Sequence, residues 1–322
     1  MKKVSEADIQ RYFDLGNADL LKQRIESCRD VFEEYGIDNF CISYSGGRDS
    51  NVTSELIDLA VPGNRIPRVF MHTGIELNSV VDFVKKRSQV DSRIHIISPQ
   101  VGIKKSLEVD GYPFKSKMHS KKVNLYRRQG ITQGVYKYIY GDGNPNHYKF
   151  LCPEKLKYQF TPENKLKISM ECCINMKEKP LQRWQKIMGR GIGITGMRQA
   201  EEGSRANVKC LSMRRNEKVP RFFNPLSICD DTFVEWMIRT YEIELPSVYY
   251  PPYNFERTGC KGCPFNRNLQ KELDILEEYF PKERKQCEII WKPVYDEYRR
   301  LGYRLRKDYE YGCSEQNSSN AD

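Results

Sequence analysis

The chain has 322 residues, of which 39% are hydrophobic, 11% aromatic and 30% charged, a globular composition that excludes disorder as its main state. At about 150 residues per domain, one large domain or two are expected. Lys and Arg total 53 against 43 Asp and Glu, and the formal charge of +10 favours polyanionic ligands, nucleotides or nucleic acid, without a histone-like excess.

In chain order, Leu20, Leu21, Ile25, Val31, Phe32 and Tyr35 have helical spacing that ends near Gly36. Phe40–Tyr44 reads as a strand, Gly46 and Gly47 break it, and Val52, Leu56 and Leu59 recur at i, i+4, i+7 behind Asp49 and Ser50 as helix openers. A second unit repeats the pattern: Arg68–His72 as strand, Thr73-Gly74 as turn, Leu77, Val80, Val81 and Val84 as a helical face, then a strand at Ile94–Ile97. Alternation of this kind implies a parallel sheet.

From Lys115 to Gly130 the chain carries Lys115, Lys117, Lys121, Lys122, Arg127 and Arg128 and no acid, followed by Tyr136, Tyr138 and Tyr140. This stretch, near 111–160, is expected to lie outside the sheet. Pro180, Leu181, Trp184, Ile187 and Met188 predict a helix with proline in its first turn, and Ile192–Gly196 a further strand, with the sheet continuing to about residue 230. A cysteine turn at Cys260–Pro264 precedes a helix with Ile290, Val294 and Tyr298 on one face. The class is therefore α/β: an open, mostly parallel sheet with helices on both faces. The parts expected are a helical N-terminal segment (1–39), a nucleotide-binding domain (40–235) and a cysteine-rich helical portion (236–322).

Met1 to Asp8 shows no apolar signal region, and no run of about eighteen apolar residues occurs, so a soluble, cytoplasmic protein is expected. Eleven cysteines cannot all pair with one another, and in a reducing compartment their clustering points first to metal.

Ser45-Gly46-Gly47-Arg48-Asp49-Ser50 lies between a strand's carboxyl end and a helix, where backbone N–H groups and two hydroxyls can hold an anion. The lysine and spacing of a Walker loop are absent. The S-G-G-x-D-S pattern resembles the pyrophosphate (PP) loop of the adenine nucleotide alpha hydrolase-like superfamily. That resemblance implies an adenine nucleotide on Ser45, Gly46, Gly47, Asp49 and Ser50, with Thr73 and Gly74 at the next strand end. His72-Thr73-Gly74 stands where the phosphoadenosine phosphosulfate (PAPS) reductase branch has aspartate-threonine-glycine.

Cys172-Cys173 and Cys260-x-x-Cys263 could close one four-sulfur site from distant segments, with structural zinc and an iron-sulfur cluster as competing occupants. Neighbouring helical cysteines point about 100° apart, which suits two irons of a cubane. The pattern is similar to the [4Fe-4S] signature of adenylyl-sulfate (APS) reductases, which implies Cys172, Cys173, Cys260 and Cys263 as ligands, with Cys152 an alternative. Thr195-Gly196-Met197-Arg198 is similar to the family's basic strand end, implying Arg198 and then Arg205 as partners of the substrate anion.

Reductases of this family use a cysteine in a C-terminal Glu-Cys-Gly-Leu-His motif and a thioredoxin-like reductant. This chain lacks the motif; Cys313, in Tyr311-Gly312-Cys313-Ser314, is a weak candidate with different neighbours. Sulfonucleotide reduction or related sulfur chemistry on APS, PAPS or ATP is the leading expectation. An ATP-dependent sulfur-insertion enzyme acting on tRNA or DNA is the alternative, with Asp49 on the Mg²⁺ side and the basic, tyrosine-rich stretch on the nucleic acid. A non-enzymatic nucleotide and iron-sulfur sensor is a third reading.

Overall fold

In the computed structural model, which describes residues 6–201, 205–213 and 217–307, the βα alternation is realised as one six-stranded sheet. The strands are β1 (Phe40–Tyr44), β2 (Arg68–Met71), β3 (Ile94–Ile97), β4 (Ile192–Ile194), β5 (Leu211–Met213) and β6 (Pro220–Phe223), in the order β3-β2-β1-β4-β6-β5. All pairings are parallel except β5 with β6, so the sheet is mostly parallel with one antiparallel edge. Successive residues of β1, β2 and β4 are buried, as strands covered on both faces require.

The chain divides into two compact units. The first comprises residues 1–72, 78–98 and 179–259, and contains the whole sheet. Its long helix Glu6–Tyr35 ends where the periodicity places it, and Phe32 packs edge-on against Phe40 of β1 and Phe223 of β6, with ring centres 4.9 and 6.0 Å away. Helix Arg48–Ala60 follows β1, Asn78–Ser88 follows β2, and Asp231–Thr240 is capped by Asp230, whose carboxylate accepts from Phe233 N–H at 2.9 Å.

After β3 the sheet is extended on the other side of β1, by β4. The β1/β4 boundary is thus the topological switch point, and in open α/β sheets ligands bind there, beyond the strands' carboxyl ends. The opposite end carries a structural ion network. Arg68, 1% exposed, reaches Asp58 at 2.6 Å, and Arg93 reaches the same carboxylate at 2.7 Å.

The second unit comprises residues 73–77, 99–178 and 260–322. The stretch expected outside the sheet is helical, with helices Lys117–Gln129 and Gln133–Tyr140 capped by Ser116 and Thr132. Two 3-10 segments follow, Pro145–Phe150 and Glu154–Phe160. Its core surrounds fully buried His119, whose Nε2–H donates to Gln159 Oε1 at 2.6 Å while Nδ1 accepts from Tyr138 OH at 2.9 Å. Helices Leu269–Tyr279 and Pro281–Leu301 complete the unit. Among the described residues, no helix is long and apolar enough to cross a membrane.

Candidate functional site

The turn after β1 is built from its own side chains. Ser45 and Ser50 hydroxyls lie 3.1 Å apart, and Ser50 Oγ accepts from Ser45 N–H at 3.3 Å and donates to the Gly47 carbonyl at 2.8 Å. Asn51, anchored by Tyr44 OH at 2.6 Å, donates to the carbonyls of Gly46 and Gly47 at 2.9 and 3.0 Å. With those carbonyls engaged by side chains, the first turn of helix Arg48–Ala60 presents N–H groups that have no intrahelical partner. At Gly47 the backbone is in close contact with its surroundings. A Cβ there would stand 2.8 Å from Thr258 Oγ1 and 3.0 Å from Tyr249 OH. Tyr249 OH also accepts from Arg48 N–H and Thr258 N–H, both at 3.2 Å. Sequence reading missed Tyr249 and Thr258, and nothing in their local pattern marks them.

Charge around this turn is balanced. Arg198 is 2% exposed; its Nε donates to Asp49 at 3.0 Å and another guanidinium nitrogen to Asp231 at 2.7 Å, while Arg48 joins Asp231 at 2.7 Å and Glu235 at 2.8 Å. Burial pushes the Asp49 carboxyl up against the opposing pull of Arg198 and Arg48. Asp231, more exposed, is held below the usual carboxylate range by its hydrogen bond from Arg198. Arg205 pairs with Glu201, which also meets Arg257 at 3.0 Å. The structure thus brings Ser45, Gly46, Gly47, Asp49, Ser50 and Arg198 together, with both predicted anion-binding arginines engaged by acids.

Thr73 and Gly74 belong to the second unit. Thr73 donates through its N–H and hydroxyl to the two oxygens of Glu76, at 2.9 and 2.6 Å. Glu76 is 6% exposed, forms a β-bridge with Cys260 and lies 3.8 Å from Lys177 Nζ. Lys177 in turn lies against Cys260, whose sulfur is the largest cause that raises its ammonium above its ordinary range.

Cys172 and Cys173 sit on the short helix Glu171–Cys173, which runs on through a π-helical turn, Ile174–Glu178. Their thiols share a hydrogen bond that, as the largest cause, pushes Cys172 up and Cys173 down; burial opposes the fall at Cys173, and Lys117 and Lys177 favour it. Cys260 and Cys263 also act on Cys172 through space. Burial raises both, and proximity to the other thiols adds to it. Four sulfurs from two distant segments therefore lie within electrostatic reach of one another, and this donor set fits a thiolate-ligated metal group. Among the described residues, no three or more His, Cys, Asp or Glu side chains are arranged to hold a metal ion as they stand. Cys152 turns instead towards the Pro153 carbonyl at 3.6 Å, and burial pushes its thiol up to about 12. Cys313 lies outside the described residues.

The Cys260–Cys263 turn is clamped from the C-terminal helix. Trp291 Nε1 donates to the Lys261 carbonyl at 3.0 Å, Tyr295 OH to the Gly262 carbonyl at 2.5 Å and Tyr298 OH to the Pro264 carbonyl at 2.8 Å. Glu272 accepts from Gly262 N–H at 2.7 Å, and Lys261, 3% exposed, pairs with Glu283 at 3.0 Å. The buried helix face is Cys287, Trp291, Val294, Tyr295 and Tyr298; Ile290, expected on it, is only half-buried.

Residues 149–266 match the phosphoadenosine phosphosulfate reductase domain family. That span includes all four cysteines and Arg198 and leaves the Ser45–Ser50 turn outside. An uncharacterized protein of Methanocaldococcus jannaschii, MJ0973, is 26% identical over 140 residues, 44% of this chain; the match spans about a third of that protein's length, 32%. Among solved structures, the chain is similar to phosphoadenylyl-sulfate (PAPS) reductase from Candida auris in a phosphate complex. The identity is 16%, covering 77% of this chain and 92% of that one, with a TM-score of 0.39.

Proposed function

We propose, from the premise that the chain carries a phosphoadenosine phosphosulfate reductase domain over residues 149–266, that it binds an adenine nucleotide and a [4Fe-4S] cluster and performs sulfonucleotide reduction or related sulfur chemistry. The nucleotide's phosphates would lie on the turn formed by Ser45, Gly46, Gly47, Asp49 and Ser50. The Ser45 and Ser50 hydroxyls, now bonded to each other, are the groups that would turn to phosphate oxygens. Arg198 and Arg205 are the cations for the substrate's anionic end, and an incoming sulfate or phosphate would take over part of the pairing now supplied by Asp49, Asp231 and Glu201. With ATP as the nucleotide, Asp49 would face Mg²⁺.

The cluster reading is supported by the placement of all four cysteines in one unit, Cys172 and Cys173 on one short helix and Cys260 and Cys263 on one clamped turn, with Cys260 bridged to Glu76 beside Lys177. Those four residues would hold it, and bound there it would supply a redox-capable iron-sulfur centre within the second unit. The chain's own residues position it: the aromatic clamp fixes the CxxC turn, while Glu76 and Lys177 link the Thr73 end to Cys260. A thioredoxin-like reductant is the partner this reading implies.

The test is calorimetric titration of anaerobically purified protein with APS, PAPS and ATP, repeated on Gly47→Ala. One of the three should bind, and the variant, whose methyl must displace Thr258 and Tyr249, should lose at least about tenfold in affinity. No binding to any of the three, or undiminished binding by the variant, refutes the nucleotide site.

A further inference from the structure

The chain's positive charge is concentrated in one place. Residues 111–160 hold ten Lys and Arg against two acids, Asp142 and Glu154, so this segment carries +8 of the whole chain's +10. The remainder is close to neutral, with 43 basic and 41 acidic residues.

The same segment carries an unusual set of exposed rings. Among the described residues, the aromatic side chains more than half exposed are Tyr136 (53%), Tyr140 (59%), Tyr148 (56%) and Phe150 (52%). Four large rings left more than half exposed within fifteen residues form a cluster, and clustered apolar exposure marks an interaction surface. Tyr136 and Tyr140 rings lie 4.9 Å apart, and Lys157 Nζ stands 5.9 Å from the Tyr140 ring centre. The backbone joins the later rings to the earlier pair: Cys152 N–H donates to the Tyr138 carbonyl at 2.8 Å, running the end of the 145–150 segment beside helix Gln133–Tyr140. Tyr138 itself, at 5% exposed, belongs to the core.

The adjacent basic helix, Lys117–Gln129, buries His119, Ser120 and Val123 and leaves Lys117, Lys121, Arg127 and Arg128 exposed. Its less polar face is used in the core, and apart from Met118, 41% exposed, the outward side chains are charged or polar. That arrangement suits a phosphate backbone better than the plane of a bilayer, where an amphipathic helix needs an outward apolar face. Rings that can stack, set beside cations that can track phosphates, are the two elements of a single-strand binding platform. Unpaired bases are standing features of folded RNA, in its loops and ends, whereas duplex DNA exposes them only on melting.

We propose that this face of the second unit, built on Tyr136, Tyr140, Tyr148 and Phe150 with Lys121 and Arg128, binds a single-stranded stretch of RNA. The inference rests on the segment alone and stands independently of the nucleotide and cluster reading. Lys117, at the start of the same helix, acts electrostatically on Cys173, so an RNA held here would lie on the same unit as the thiols.

The experiment is fluorescence anisotropy of the full chain with a labelled 12-nucleotide single-stranded RNA, against the same sequence as a duplex and against phosphatidylserine vesicles. The single strand should bind preferentially. Tyr136→Ala with Tyr140→Ala should weaken it at least about tenfold with an unchanged thermal midpoint, since both rings are exposed. Lys121→Ala with Arg128→Ala should lower the slope of log K against log salt by about 1.4. Equal affinity for duplex, vesicle binding with the same sensitivity to these variants, or RNA binding untouched by both double variants would overturn the proposal.

Discussion

Gly262 sits at φ 61°, in the left-handed region that favours glycine, and a Cβ there would stand 2.4 Å from Tyr295 OH and 2.7 Å from Cys287 Sγ. Both neighbours are fully buried, so neither can give way cheaply. Gly262→Ala is therefore expected to break the clamp on the CxxC turn, lowering stability by about 2–4 kcal/mol in denaturant unfolding and removing bound iron with it. An unchanged midpoint would show that the turn is not held as described. His119 gives a prediction in pH. Burial lowers its value from 6.5 to about 4, so the unfolded chain takes up the proton first. The stability this contributes is complete above pH 6.5 and is lost as pH falls towards 4, by about 2 kcal/mol between pH 7 and pH 5. His119→Gln should flatten that part of the pH–stability curve, and a slope identical to the parent's would contradict the assignment.

Among the elements, those with strong local signals were legible in the sequence. The switch from strand to helical period around Ser45–Ser50 placed β1, the turn and helix Arg48–Ala60, and the same logic placed β2, β3, β4 and the helix ending at Tyr35. β5 was not legible, because Leu211–Met213 is too short for alternation to emerge, and its antiparallel pairing with β6 is a tertiary outcome. The packing of Tyr249 and Thr258 on Gly47 joins segments about two hundred residues apart, which no local pattern can encode. Lys177 had a readable signal, one helical turn after Cys173, but charge alone did not distinguish it from a solvated lysine. In the basic stretch, sequence grouped Tyr138 with Tyr136 and Tyr140. The helix turns Tyr138 inward to His119, and the exposed set is completed by Tyr148 and Phe150 instead.

Across the whole molecule, charges are sorted by task. Arg68 is buried at the amino end of β2 and depends on Asp58, which also receives Arg93 and Asn64. Asp58→Ala leaves that guanidinium without its carboxylate and is expected to cost about 3–5 kcal/mol in chemical denaturation; a cost under about 1 kcal/mol would mean that water or Asn64 suffices. The excess of positive charge lies instead on the 111–160 segment, where ten Lys and Arg face two acids, Lys157 pairing with Glu154 at 2.7 Å.

Anaerobic purification with iron and acid-labile sulfide quantitation, on the parent chain and on Cys260→Ala, tests the assignment of the four thiols most directly. About four irons and four sulfides per chain are expected in the parent, falling well below that in the variant together with its visible absorption. A parent chain without iron after anaerobic reconstitution, or a variant retaining the parent's full iron, would contradict it.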